Sequence, residues 1–317
     1  MGASPDETAV EPEAETETET NNVLERTAQR AIQDPDTVYR WLTYVGIGFF
    51  VTASLFPFYW LFVLALTPNE SIAGMGVVPK GFNPGAFLEV FEVVPFHRYM
   101  LNSIAIAAFS TVIVLTVGSI AGYVFGRYEF RGRLPLLFLI LVISYFPPVA
   151  FLIPLFRLFT GEVALFGISS PQLYNTPWSI VMPLSAITMP LIIFLLTTFY
   201  RQIPDGLEDA ARVEGSTRIG ALRRIIVPLS APGVATAGIL TFIIVYNEFF
   251  FSYLMVNGTA DNWSPVLHGI FAFQGTQQVA YNLMAAASII GVIPMAVLVM
   301  IAQERIVSGL TQGALKE

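Results

Sequence analysis

Residues able to do chemistry are sparse in this sequence and fall in two places. There is no cysteine, which excludes disulfides, thiolate nucleophiles and thiolate metal sites. His97 and His268 are the only histidines, so neither a histidine-rich metal centre nor any other cofactor is expected. Lys80 and Lys316 are the only lysines, and neither closes a G-x4-G-K loop, so the chain has no phosphate-cradling loop of its own. What remains is carboxylates and arginines. Past an acidic N-terminal stretch they concentrate in Ile203–Pro228, reading IPDGLEDAARVEGSTRIGALRRIIVP, and in the pair Asn247–Glu248 inside an apolar run.

The first of these reads as two helices around a glycine. Asp205 and Glu208 have the spacing of a helix N-cap and its reciprocal partner. Pro204 bars a helix from entering from the N-terminal side. Gly215 falls where a left-handed C-terminal stop belongs, and Ser216 or Thr217 can cap a second short helix that runs to Pro228. A charged elbow of this kind lies outside lipid and joins an apolar run on each side, so a partner that grips it moves both. Asn247–Glu248 is different. A carboxylate inside an apolar span is costly and faces a cavity or a partner, which leaves open whether Glu248 lines a pathway or pairs across helices.

The elements that must position these residues are membrane helices. The chain has 317 residues, of which 55% are hydrophobic and 12% charged, too apolar for a soluble domain. Six runs are long enough to span the hydrocarbon as helices: Trp41–Leu66, Ser103–Phe125, Leu134–Phe156, Trp178–Phe199, Gly233–Val256 and Leu283–Ile301. Pro57, Pro147, Pro148, Pro154, Pro183, Pro190 and Pro294 fall inside them and predict kinks. The fold class is therefore all-α, a polytopic membrane protein of six spans. Its domains are a disordered acidic tail, 1–38, rich in Glu and Thr, and a transmembrane domain, 39–317. The tail lacks the basic start and apolar core of a signal peptide. With the N-terminus inside, thirteen of the sixteen basic residues fall on inner segments, leaving Lys80, Arg98 and Arg157 outside. That bias puts both termini and the elbow in the cytoplasm of a cell-membrane protein. The outer loops are then about 67–102, 157–177 and 257–282. The net charge of −7 and the scarcity of lysine suit a high-salt, halophilic cytoplasm.

The elbow can be written Asp209-Ala210-Ala211, three residues, Gly215, nine residues, Ile225-Ile226-Val227-Pro228. This resembles the EAA loop of ABC importer permeases, with Asp209 in place of Glu (Glu208 precedes it) and Val227 in place of Leu. Further pieces fit: Asn102-Ser103 at the start of the second span, YVFGRYEFRGR (Tyr123–Arg133), FPPVAFLIPLF (Phe146–Phe156), YNEFFFSYLM (Tyr246–Met255) and QERIVSGLTQGALK (Gln303–Lys316). Over most of 40–317 the chain is similar to the smaller membrane subunit of maltose-type sugar importers. The segment 160–175 looks longer than that family's usual turn.

The resemblance implies a non-enzymatic permease moving a sugar or oligosaccharide, driven by ATP hydrolysis in a partner. It implies a dimer of ATP-binding cassette subunits gripping 205–228, a second permease subunit in a heterodimer, an extracytoplasmic solute-binding protein and the lipid bilayer, with no nucleic acid. Glu208, Asp209, Ala210, Ala211, Gly215 and Pro228 become the coupling residues, their carboxylates pairing with basic groups of the ATPase. Asn247 and Glu248 become pathway candidates. The C-terminal Ser308–Lys316 either reaches between ATPase subunits or frays.

Arg157 reads as an interface anchor, and His97 and His268 as polar surface groups. Trp263, His268, Phe271 and Phe273 share an outer loop and suit either sugar stacking or an interfacial belt. Two rival classes stand. An ion-coupled secondary carrier needs intramembrane ionisable groups beyond the lone Glu248. A membrane enzyme needs a catalytic cluster that the sequence does not offer. An importer of glycerol phosphate or another small polar solute is the alternative within the family; three outer cations weigh against a phosphorylated substrate.

Overall fold

A computed structural model describes residues 35–165, 167–275 and 279–314. The acidic stretch up to residue 34 lies outside the described residues, as do the side chains beyond Gln303. Among the described residues, the only paired strands are two-residue segments, β1 (Ala164–Leu165) and β2 (Ile168–Ser169), which pair antiparallel. They occupy the long 160–175 connection, and a Thr160–Gln172 bridge closes its base. All other regular structure is helical.

Four helices are long and apolar enough to cross a membrane singly: α1 (Pro35–Leu66), α3 (Phe96–Arg127), α6 (Trp178–Arg201) and α12 (Tyr281–Ala314). The third expected span is a bent pair, and a second bent pair joins the end of the elbow to the helix that opens the fifth. In the first pair, α4 (Arg133–Ser144) and α5 (Val149–Phe159) meet at 86°. Pro147 and Pro148 lie in the break, where a ring nitrogen cannot donate to the preceding turn. In the second, the helical stretch Arg218–Leu229 meets α9 (Ala231–Tyr246), also at 86°, with Pro232 opening the new helix. Helices run unbroken through Pro57, Pro154, Pro183, Pro190 and Pro294.

The chain divides into two compact units at Trp60. Within the first unit, the described residues are those of α1 up to that tryptophan. The second unit, from Leu61, is organised around α6, in which 61% of the apolar window is buried against 28% in both α3 and α12. A stripe of three glycines on α3 explains how closely α3 lies on α6. A Cβ on Gly122 would sit 2.9 Å from Leu196 Cβ and 3.2 Å from the Thr197 nitrogen. One on Gly118 would meet Ile192, and one on Gly126 would meet Tyr200. Small residues four apart let two helix backbones approach where lipid offers no hydrophobic drive to hold them together.

Two buried clusters flank this joint. One gathers Phe96, Ile106, Ile180, Leu184, Phe251, Met255 and Leu283 toward the start of α3. The other gathers Val114, Tyr123, Ile192, Leu196, Phe199, Tyr200, Leu222 and Ile226 toward its end. Tyr200, among the largest fully buried side chains, donates from its hydroxyl to Ser119 Oγ at 3.0 Å.

Candidate functional site

Ile203–Pro228 forms the charged elbow at the end of α3. Helix α7 spans Asp205–Val213 and stops at Glu214. Gly215 then takes φ +90°. Its amide donates to Arg212 O at 3.0 Å, and the Ser216 amide donates to Ala211 O at 2.9 Å. These two bonds form a Schellman closure, which needs a left-handed residue at this position. A Cβ on Gly215 would meet nothing within 4 Å, so backbone conformation alone asks for glycine. Thr217 caps the next helix, α8 (Arg218–Ala221), accepting from the Gly220 amide at 3.1 Å. The chain continues through a π turn, Leu222–Ile226, into the last turn, Val227–Leu229. Leu222 and Ile226 plug the elbow into the lower cluster.

The start of α7 departs from the expected capping box. The cap position is Pro204, and no side chain caps the helix. Asp205 and Glu208 are drawn instead to Arg127, the last residue of α3. The Arg127 guanidinium is 4% exposed, and its Nε donates to Glu208 Oε2 at 2.9 Å. Its Nη1 lies 2.9 Å from Asp205 Oδ1 and donates to Ile203 O at 2.6 Å. The Tyr123 hydroxyl donates to the other Glu208 oxygen. Tyr128 packs edge-on to Tyr123, and the Arg218 guanidinium lies 4.6 Å above the Tyr128 ring. The Arg127–Glu208 pair, buried on both sides, is far stronger than an exposed pair, whereas Asp205 is 89% exposed and adds little.

The coupling residues read from the sequence therefore divide between two faces. Glu208 and Ala211 are buried within the chain, so Glu208 is not free to pair with an outside cation. Asp209, Ala210, Gly215 and Pro228 are exposed. Asp209 has only Arg212 nearby, at 4.0 Å. Three apolar side chains share the exposed surface of the elbow: Leu207 (45% exposed), Val213 (90%) and Ile219 (70%).

The second candidate changes its meaning. The fifth run does not stay helical to Val256, because α9 ends at Tyr246 and a new helix, α10 (Phe250–Met255), begins after the break. Glu248 lies in that break. Its carboxylate accepts from the amides of Phe251 at 2.5 Å and Ser252 at 3.4 Å, which accounts for it as a helix cap. Asn247 is exposed and donates to Ile243 O.

At the opposite end of α3, the loop before α11 (Val266–Phe271) is fastened by neutral hydrogen bonds. Tyr99 OH donates to Gly258 O at 2.9 Å, and Asn102 Nδ2 donates to Ala260 O at 2.7 Å and to Ser264 O at 3.1 Å. Ser103 Oγ accepts from the Val266 amide at 2.8 Å. His97 is exposed as expected, but His268 is not a surface group. It is half-buried beside the rings of Phe249 and Tyr253, and burial pushes its pKa below the ordinary histidine value. Arg98 pairs with Asp261, and Arg157 lies 3.7 Å from Glu162. No group of three metal-ligating side chains occurs among the described residues.

Sequence reasoning counted Arg127 toward topology, took Tyr123 and Tyr128 as interface aromatics, and quoted all three in the YVFGRYEFRGR match without linking them to the elbow; it passed over the glycine stripe. The spacing Gly118, Gly122, Gly126 was the available signal for the stripe. Arg127 had none, because its partners lie some eighty residues away.

Comparison with known proteins places this geometry. Residues 115–312 match the family model described as binding-protein-dependent transport system inner membrane component. The chain belongs to that family. It is 33% identical over 280 residues to the sulfoquinovosyl glycerol transport system permease of Agrobacterium fabrum, covering 87% of this chain and 93% of the relative. It is 32% identical to the trehalose/maltose transport system permease of Thermococcus litoralis, covering 89% of this chain and 98% of that one. Among solved structures it resembles a chain of a bacterial ABC transporter that imports the acidic polysaccharide alginate, with a TM-score of 0.70 at 20% identity over 85% of this chain and 96% of that one. The chain is thus an all-α, multi-pass membrane permease subunit of a binding-protein-dependent ABC importer.

Proposed function

We propose that this permease moves a sugar or oligosaccharide and is driven through the elbow by ATP hydrolysis in a cytoplasmic partner. The observation that carries the reading is the elbow's exposed surface. Leu207, Val213 and Ile219 are exposed on a charged segment around a left-handed glycine turn. An exposed apolar cluster with charge at its rim is a protein-docking surface. The spacing Asp209-Ala210-Ala211, Gly215, Pro228 is that of an ABC coupling loop.

Asp209, at 71% side-chain exposure, and Arg212 remain available for a partner's charges. Glu208 serves inside the elbow, and Ala211 and Gly215 shape it. The arginine distribution supports the elbow and both termini on the cytoplasmic side. The acidic stretch before α1 then lies on that same side. A second permease subunit and an extracytoplasmic solute-binding protein complete the assembly. The sugar assignment is supported by the relatives' transport of sugar-based solutes. Two of the three outer cations are already matched by acids, Arg98 by Asp261 and Arg157 by Glu162, which disfavours a phosphorylated cargo. Glu248 serves as a backbone cap, so ion-coupled transport has little support in this chain.

The test is purification of the chain co-expressed with its cognate ATP-binding cassette subunit. Wild type brings the ATPase down. Val213→Asp places a charge at the centre of the apolar surface and lowers recovery at least about tenfold, since burying an unpaired carboxylate costs several kcal/mol. Equal recovery with Val213→Asp removes the elbow as the docking surface.

A further inference from the structure

The end of α3 holds both halves of the elbow. Arg127 reaches the α6–α7 junction through Ile203 O and the first turn of α7 through Asp205 and Glu208. Tyr123 binds the far oxygen of Glu208, and Tyr128 carries Arg218, the first residue of α8. One turn of α3 thus contacts the elbow on each side of the Gly215 turn. Above it, Gly126 and Gly122 seat the same helix on α6 with no room for a methyl group to spare. Every acceptor of the buried guanidinium belongs to α6, α7 or the link between them. The planar fork of arginine is the side chain that can serve such divergent acceptors at once.

We propose that Arg127, with Tyr123 and Tyr128, makes the last turn of α3 and the elbow a single rigid body, so that force on the elbow moves α3 directly. This path runs in parallel with the covalent one through α6 and α9. Arg127 is then a positioning residue that acts through Glu208 and Asp205. The inward turn of Glu208 is the visible cost: a carboxylate beside the docking surface is committed to transmission and withheld from the partner. The proposal rests on the reading of the elbow as the ATPase contact.

The absence of native cysteine allows paired spin labels. The complex with its ATPase subunits, cleared of their own cysteines, is placed in nanodiscs, and distances are measured without nucleotide and with ATP plus orthovanadate. Arg131→Cys with Glu214→Cys reads across the strut; Ile293→Cys with Glu214→Cys, the long pair, reads from α12, which takes no part in the strut, to the elbow. In the wild-type background the long pair shifts by about 5 Å, the scale of a helix ratchet, while the strut pair shifts by less than about 2 Å. In Arg127→Met the strut pair becomes nucleotide-dependent. A strut pair that shifts as far as the long pair in wild type overturns the proposal, as does one indifferent to Arg127→Met. If the long pair itself does not respond, the coupling reading has failed rather than the strut alone. Should Arg127→Met not assemble, Arg127→Lys and Tyr123→Phe each loosen one arm of the clamp and carry the same readout.

Discussion

The two ends of α3 are fastened by different chemistry. At the elbow end a buried guanidinium holds two carboxylates and a backbone carbonyl. At the other end Tyr99, Asn102 and Ser103 hold the loop before α11 with neutral hydrogen bonds, and the Arg98–Asp261 ion pair there is exposed. A charged network in a buried site resists incremental opening, because each remaining charge is costly without its partner. Neutral bonds to backbone carbonyls can break singly, each at a modest cost. On the proposed reading the elbow end moves as a unit while the far end rearranges in steps.

Substitutions can break or sharpen that contrast. The largest effect belongs to Arg127→Met, which strands Glu208 in a buried site without its cation. Thermal denaturation of the detergent-solubilised complex is expected to show a loss of about 3–5 kcal/mol. Gly122→Ala acts between the ends, forcing a methyl group against Leu196 and Thr197; overpacking of this kind costs about 1–3 kcal/mol by the same measurement. Asn102→Ala removes the donor shared by Ala260 O and Ser264 O, and is expected to cost about 1–2 kcal/mol. It should also speed hydrogen exchange in 258–266 while leaving 205–215 unchanged. Arg98→Ala deletes an exposed pair, costs less than about 1 kcal/mol, and loses even that in high salt. If Asn102→Ala destabilises as strongly as Arg127→Met, the two ends do not differ in the way described.

The membrane class, the apolar runs and the helix–glycine–helix elbow were legible because each is written locally. Apolar runs mark spans, and Pro204, Gly215 and Thr217 mark stops and caps with known geometry. The capping-box reading failed because a tertiary partner outcompeted a local one, whereas Glu248 gained a local partner at a break in its run. Asp205 and Glu208 have capping-box spacing, yet a buried arginine on α3 claims both. Glu248 sits in an apolar run, yet the chain breaks there and uses it to start α10. The bent third span was half legible: the adjacent prolines at 147 and 148 fixed where it yields, but nothing local gives the 86°. His268 looked like a loop residue because its aromatic neighbours Phe249 and Tyr253 come from a different helix region. The proposed coupling residues Asp209, Ala210, Gly215 and Pro228 came from motif spacing, and the fold leaves them exposed. The division between inward Glu208 and Ala211 and the outward remainder required the fold.

The measurement that bears most directly on the account is site-specific photocrosslinking from Val213→Cys, the most exposed apolar position of the elbow, in the complex assembled with its ATPase subunits in membrane vesicles. The account predicts a crosslink to the ATPase subunit that disappears when that subunit is omitted. A label that reacts only with lipid, or with a protein on the opposite side of the membrane, contradicts it.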